Sequence, residues 1–212
     1  MNTVVLVHGW GYDSGIWDAV RARLDPELQV VALDFRFYGT VPPAPTFAVP
    51  VIAVGHSLGA LWWLSQAQIP WRKLLCINGF PRFTETPDFA PAVAPRLLER
   101  MGAQFARDPA AVLADFHARC GSAAAADTPN VPRLAAGLGW LATWDGRATL
   151  AERHADIWAL AGTDDPIVPR AMSEQAFAGL PAGRLEFIDA PGHLLPLTQP
   201  ELCARRIESL AA

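Results

Sequence analysis

The sequence predicts an α/β protein: a six-stranded, mainly parallel sheet with helices on both faces and a helical insertion after the fourth strand. Three observations carry that prediction. Short continuous apolar runs alternate with stretches of helical periodicity, the pattern of a parallel sheet buried on both sides. The third run, Val51-Ile52-Ala53-Val54, feeds straight into Gly55-His56-Ser57-Leu58-Gly59 and then into the helix-forming run Leu61 to Ala67. Residues 80–145, between the fourth and fifth runs, carry helical patterns only.

Taken in order, residues 3–7 (Thr-Val-Val-Leu-Val) read as the first buried strand, ending in the loop His8-Gly9-Trp10-Gly11. A helix is expected over 15–24, with Ser14 as its cap and Ile16, Trp17, Val20 and Leu24 at helical spacing. Residues 28–33 are the second strand. Residues 34–50 hold four prolines and four aromatics; the prolines forbid a long regular helix but leave length for a parallel crossover. After the third strand and its helix, residues 73–77 form the fourth strand, closing at Asn78-Gly79. In the helix expected over 94–107, Leu97, Leu98, Met101 and Phe105 share one face, and Arg96, Arg100 and Arg107 another. Further helices are expected over 109–120 and 133–143, a fifth strand over 155–160, a helix over 172–180, a sixth strand over 184–188 and a closing helix over 200–210. The tryptophans Trp62, Trp63 and Trp158 are expected in the core. The whole chain, 1–212, reads as one domain with 80–145 as a helical cap inserted within it.

Composition narrows the function. A chain of 212 residues that is 51% hydrophobic and 18% charged has ample material for a core and is not a disordered chain. A formal net charge of −4 gives no support for nucleic-acid binding. Lys73 is the one lysine, so the positive surface is almost all arginine. Cys76, Cys120 and Cys203 lack metal-ligand spacing and read as reduced thiols of a cytoplasmic protein. No apolar run reaches membrane-spanning length, and the first strand is not preceded by a basic leader.

The pentapeptide supplies the chemistry. A Gly-x-Ser-x-Gly between a strand and a helix is a nucleophile elbow, in which Gly55 and Gly59 stand where a Cβ would collide and Ser57 is presented beside a helix N-terminus. A serine hydroxyl needs a base, and the base needs an orienting carboxylate. His193 follows the sixth strand in a Pro-Gly-His turn, and Asp165 follows the fifth in Gly162-Thr163-Asp164-Asp165-Pro166. Open parallel sheets gather sites at the carboxyl ends of strands, so these three side chains can converge. Asp164 competes with Asp165 for the carboxylate, and the spacing favours Asp165. The N–H groups of Leu58 and Trp10 are candidate donors to a developing oxyanion. His117 and His154 read as structural, His56 as a packing residue, and His8 as a brace for the oxyanion loop. Asp145, beside Arg147, reads as an ion pair or cap.

His8-Gly9-Trp10-Gly11 with Trp17 beyond it, Gly-His-Ser-Leu-Gly and Asp165-Pro166-Ile167-Val168-Pro169 together resemble the α/β-hydrolase superfamily. Within it the chain is similar to the esterases of biotin synthesis that demethylate pimeloyl-acyl-carrier-protein methyl ester. The segment Leu141 to Arg147 is similar to their BioH type, and Ile77-Asn78-Gly79 and Phe116 to Gly121 to the shorter BioG type. The resemblance implies hydrolysis of a carboxylic methyl ester through an acyl-serine intermediate, with Ser57, Asp165 and His193 catalytic and with no metal or organic cofactor. It implies that Trp10, Ser57, Leu58 and His193 meet the substrate. Phe116, His117, Ala118, Arg119 and Cys120 would form part of the acyl pocket. It further implies that Arg96, Arg100 and Arg107 dock an acyl carrier protein. Residues 79–133 hold six arginines against six acids, so a solvated helix face is the alternative reading of that stripe.

Two departures stand out. The chain starts at the strand before His-Gly-Trp, where the superfamily has a leading hairpin. The superfamily's Asp-x-Pro-Gly-x-Gly turn is replaced by Asp34-Phe35-Arg36-Phe37-Tyr38-Gly39, and the helix that follows it is missing. The aromatic, proline-rich 34–50 is expected to cover the exposed sheet face, with a second subunit as the alternative cover. A monomer is the expectation and a dimer the alternative. Two other functions fit the same residues: a general small-ester or thioester hydrolase, and a catalytically silent hydrolase-like binding protein.

Overall fold

Val4, Val5 and Leu6, then Ile52, Ala53 and Val54, then Leu74, Leu75 and Cys76 are each without solvent exposure. Successive strand residues point to opposite faces, so runs buried at every position mean a sheet covered on both sides. The computed structural model describes residues 2–39, 46–47, 49–123 and 127–212. Its strands are β1 (Thr3–Val7), β2 (Gln29–Leu33), β3 (Val51–His56), β4 (Trp71–Ile77), β5 (Ile157–Asp164) and β6 (Leu185–Pro191). They form one parallel sheet in the order β2-β1-β3-β4-β5-β6. The chain runs from β1 out to the edge strand β2 and then back across β1 to β3. The loops leaving β1 and β3 therefore diverge at a topological switch point, where open parallel sheets form sites.

A 3₁₀ turn (Ser14–Trp17) leads into α1 (Asp18–Arg21). It replaces the single helix expected over 15–24, and the cap is Asp13, whose carboxylate accepts the Gly15 N–H, rather than Ser14. After β3 come α2 (Leu58–Ser65) and β4, followed by α3 (Pro95–Phe105), α4 (Pro109–Cys120), α5 (Val131–Thr143) and α6 (Arg147–Arg153). Asp108 and Asn130 cap α4 and α5 through their side chains, with proline in the first turn of each. Periodicity does not predict α6, whose polar sequence has no apolar stripe; it forms where Asp145 gathers Arg82 and Arg147, with Arg147 also paired to Asp88. α7 (Arg170–Ala176) follows β5, and α8 (Leu195–Thr198) and α9 (Pro200–Ala211) close the chain.

α1, α8 and α9 pack together on one side, and α2 lies on β3 and β4 with α6 against it. Trp63 is buried beneath α2, whereas Trp62 and Trp158 are half-buried. Leu97, expected on the buried face of α3, is 57% exposed at the edge of that stripe, while Leu98 and Phe105 are buried. Of the expected cover, residues 34–39, 46–47 and 49–50 are described. Phe35 packs against Trp62 and Trp140, and Phe37 against Trp140 and His8, so the aromatics fill the seam between α2 and α5. The remainder of that expected cover, 40–45 and 48, lies outside the described residues. The three cysteines are buried free thiols, and no helix among the described residues is long and apolar enough to cross a membrane. At the opposite end of the sheet from the β3–α2 turn, the Lys73 ammonium donates to the Leu210 carbonyl at 2.8 Å, at the C-terminus of α9.

Steric limits set the β3–α2 turn. A Cβ on Gly55 would stand 2.4 Å from the Ala60 backbone nitrogen, and one on Gly59 would stand 2.2 Å from the Val7 carbonyl oxygen. Both obstacles are backbone, which cannot swing aside. Gly102 in α3 meets nothing within 4 Å. Gly59→Ala is therefore expected to cost about 3 kcal/mol or more, or to prevent folding. Gly102→Ala should be neutral or stabilising by up to about 1 kcal/mol. Denaturant unfolding of the two variants checks this, and a Gly59→Ala protein as stable as the parent would refute the steric account.

Candidate active site

Ser57 caps the N-terminus of α2 with φ 54° and ψ −119°, a conformation that L-residues seldom adopt. Its N–H is held by the Ile77 carbonyl at 3.0 Å, which ties the turn to the neighbouring strand. The Leu58 N–H is the first of α2, one of the donors that a helix leaves unpaired.

Asp165 and His193 meet across the ends of β5 and β6. His193 Nδ1 lies 2.8 Å from Asp165 Oδ2, with both side chains 1% exposed. The Asn78 amide donates to the same oxygen at 2.7 Å, and the N–H groups of Ile167 and Val168 donate to Oδ1 at 2.8 and 2.9 Å. Burial by itself raises the Asp165 carboxyl. The charge and hydrogen bond of His193, with the two backbone donors, outweigh it and hold the carboxyl below the usual carboxylate range. Asp164 is exposed, so the geometry selects Asp165 as the histidine's partner.

His193 Nε2, the nitrogen a serine hydroxyl has to reach, is buried and has no hydrogen-bond partner among the described residues. Ser57 adjoins His56, whose ring centroid is 4.8 Å from that of His193. The Ser57–His193 hydrogen bond is not formed. Such bonds are commonly loose in unliganded sites and tighten around substrate. Ser57 itself is 6% exposed.

Two further histidines are tied to this region. His56 Nε2 lies 2.8 Å from the His193 carbonyl oxygen, so the expected packing residue makes a buried polar contact with the loop of the candidate base. His8 bridges the loops after β1 and β2: Nδ1 donates to Gly9 O at 2.8 Å, and Nε2 accepts the Phe35 N–H at 3.0 Å beside Asp34. That matches the bracing role expected of it.

Trp10 is 2% exposed, with its indole N–H donated to the Leu134 carbonyl of α5 at 2.8 Å. Phe116 stands edge-on to Trp10 at 4.9 Å, and His117 Nε2 donates to Gly11 O at 2.6 Å, so α4 is seated on the loop after β1. Cys120 is buried, its thiol pushed up to about 12 by that burial. Ala118 faces solvent, and Arg119 is exposed with one guanidinium N–H on the Pro166 carbonyl at 3.3 Å. Phe116, Arg119 and Arg100 line a cavity of about 710 Å³ between α3, α4 and the segment after Asp165; Ser57 and His193 are not among its walls. Arg96 and Arg107 are exposed and lie outside it. Among the described residues no group of His, Cys, Asp or Glu is arranged to hold a metal ion.

The residues that sequence reasoning passed over are His56 and Asn78. The sequence marks Asn78 only as the end of a strand. Its φ of 46° is a conformation asparagine tolerates, and an Asn-Gly pair at a strand's carboxyl end was the available cue. For His56 the sequence offers no cue beyond its place beside Ser57.

The alpha/beta hydrolase family model matches residues 47–206. The biotin biosynthesis bifunctional protein BioHC of Cellvibrio japonicus is 30% identical over 129 residues, 53% of this chain and 26% of that protein. The pimeloyl-[acyl-carrier protein] methyl ester esterase of Xanthomonas campestris pv. campestris is 33% identical over 120 residues, 50% of this chain and 47% of that protein. The matched part of the chain thus spans between a quarter and a half of those relatives. Among solved structures, an esterase from Exiguobacterium antarcticum superposes with a TM-score of 0.82 at 18% identity, covering 100% of this chain and 92% of that one. An enol-lactonase from Burkholderia xenovorans gives 0.77 at 14%, covering 99% and 90%. At such identities the likeness speaks for the fold alone. The parallel sheet, the elbow at its switch point and a family match that takes in Ser57, Asp165 and His193 lead to one conclusion: the chain belongs to the alpha/beta hydrolase family.

Proposed function

We propose that this chain is a serine carboxylesterase whose substrate is a methyl ester of a dicarboxylyl chain held on an acyl carrier protein, as in biotin synthesis. The observation that carries the esterase reading is the buried Asp165–His193 hydrogen bond at 2.8 Å beside a serine on a strained elbow. The finer substrate reading is supported by the names of the Cellvibrio and Xanthomonas relatives.

In this reading Ser57 Oγ attacks the ester carbonyl carbon and His193 Nε2 takes its proton. Asp165 holds Nδ1 and stabilises the imidazolium. The oxyanion of the tetrahedral intermediate accepts the N–H groups of Trp10 and Leu58, donors fixed before the charge appears. Collapse breaks the carbon–oxygen bond to the alcohol, which leaves with the proton from His193, and an acyl-serine ester remains. Water then attacks that ester, His193 takes its proton, and the acid departs with Ser57 restored. Ester and water are consumed, and acid and alcohol are formed. Phe116 and Cys120 bound the acyl chain, and the arginines of α3 face the carrier. The segment 80–145 acts as the cap over the sheet.

Ser57→Ala is expected to abolish covalent labelling by a fluorophosphonate and to lower ester turnover by at least about 10³-fold. Undiminished turnover would remove the serine mechanism, and an unlabelled, inactive parent protein would mark a binding protein instead. For the substrate, the carrier-bound methyl ester is compared with a free short-chain ester. Arg96→Glu with Arg100→Glu should slow the carrier-bound substrate about tenfold or more at low salt and leave the free ester unchanged, the gap narrowing as ionic strength rises. Equal effects on both substrates would dismiss carrier docking through α3, and a free ester turned over as fast as the carrier-bound one would mark a general esterase.

A further inference from the structure

His56 is the residue between Gly55 and the serine of the elbow, and its ring has no solvent exposure. Its Nε2 is 2.8 Å from the His193 carbonyl oxygen, and a carbonyl can only accept. Nε2 therefore carries the proton, and the neutral ring leaves Nδ1 as a bare lone pair. That Nδ1 is buried and unpartnered among the described residues. Gly9 closes over it, because a Cβ there would lie 2.9 Å from Nδ1. Among the described residues no acceptor stands by it for a second proton.

The hydrogen bond joins the two loops whose spacing the reaction depends on. One end is the residue before the nucleophile, fixed by the sheet through β3. The other is the main chain of the base. Asp165 orients the His193 ring, and the His56 bond holds the main chain behind it, one residue after Gly192, whose φ is 93°.

We propose that His56 is a positioning residue for the hydrolysis: its Nε2–H clamps the His193 main chain to the nucleophile elbow and sets the reach of the His193 ring toward Ser57. The inference rests on the serine-hydrolase reading above. Neutrality is part of the role. A charge on His56, with centroids 4.8 Å apart, would oppose the imidazolium that His193 has to become. The other groups facing His56 are Asp165 on the β5 loop and His8 on the β1 loop. Burial first, and then the charge of His193, push His56 down to about 3.

Nitrogen NMR of histidine-labelled wild type tests the geometry without any substitution. His56 is expected to show a protonated Nε2 and a bare Nδ1 that do not titrate between about pH 5 and 8. A proton on Nδ1, or titration in that range, overturns the proposal. His56→Phe keeps a ring and removes the donor, whereas His56→Gln offers an amide N–H at similar reach. H56F is expected to lower kcat about 10- to 100-fold with KM within about threefold, and to slow fluorophosphonate labelling in parallel. H56Q should restore most of both. An H56F protein whose kcat per labelled serine equals that of wild type, with only its Tm lowered, assigns His56 to packing and overturns the proposal. Turnover surviving in Ser57→Ala would bring down the serine-hydrolase reading instead, with the state of His56 still read separately by NMR.

The same tautomer has a consequence for stability. The folded pKa of His56 lies below its unfolded value of about 6.5. Unfolding at pH 5 therefore takes up about one proton more in wild type than in H56Q, and wild type loses stability relative to H56Q as pH falls from about 6.5 toward 3. Denaturant midpoints of the two proteins across that range report the difference, and parallel curves would contradict a neutral buried His56.

Discussion

The approach of one backbone to another between β1 and the β3–α2 turn is the constraint on which the rest of the molecule depends. With Gly59 bare, the turn lies directly against the Val7 carbonyl, and with Gly55 bare, the first turn of α2 folds back over the end of β3. Any side chain at either position would lift the helix from the sheet. Val7 pairs with Gly55 in parallel register, so the same approach fixes the loop that leaves β1 beside the serine that leaves β3. Ser57 then has no relaxed conformation open to it, and its positive φ is the local cost of that closeness.

Around the elbow, each strand's carboxyl end is fastened to another's by a buried polar contact. His8 joins the loops of β1 and β2, His56 joins β3 to the loop of β6, and Asn78 joins β4 to the loop of β5. The Asp165–His193 bond closes the series. Burying a carboxylate at Asp165 is costly, but four donors converge on its two oxygens, and in a low-dielectric setting such satisfied networks hold their members in one arrangement. Buried hydrogen bonds thus tie the strand ends in two groups, β1 with β2 and β3 to β6 with one another, and the proposed base and its carboxylate are set in the second.

How much of this the sequence discloses follows from the range of the interactions. The six strands and the elbow are legible because continuous apolar runs and a strand–Gly-x-Ser-x-Gly–helix pattern are local. Asp165 and His193 are legible by their positions after strands. The cap at Asp13, the short α1 and the helix α6 are not, since each is decided by partners far along the chain: Asp34 accepts the Ser14 N–H at 2.7 Å, and Arg82 reaches Asp145 across 63 positions. Periodicity placed Leu97 with the buried residues of α3, yet it sits at the margin of that face, where only the neighbouring elements decide burial. His56 and Asn78 show the same limit at the site. Their side chains are ordinary in sequence and acquire meaning only from a carbonyl 137 residues away and a carboxylate 87 residues away.

The single lysine bears on how the protein can be handled. Its amine is engaged with the last turn of α9, at the floor of the sheet and remote from the serine. In this sequence, reagents that attack primary amines find one side chain, and acylating it removes the charge that faces the carbonyl end of the closing helix, at the far end of the sheet from Ser57. A dye or surface linked there would stand behind the molecule, with the mouth of the site turned outward.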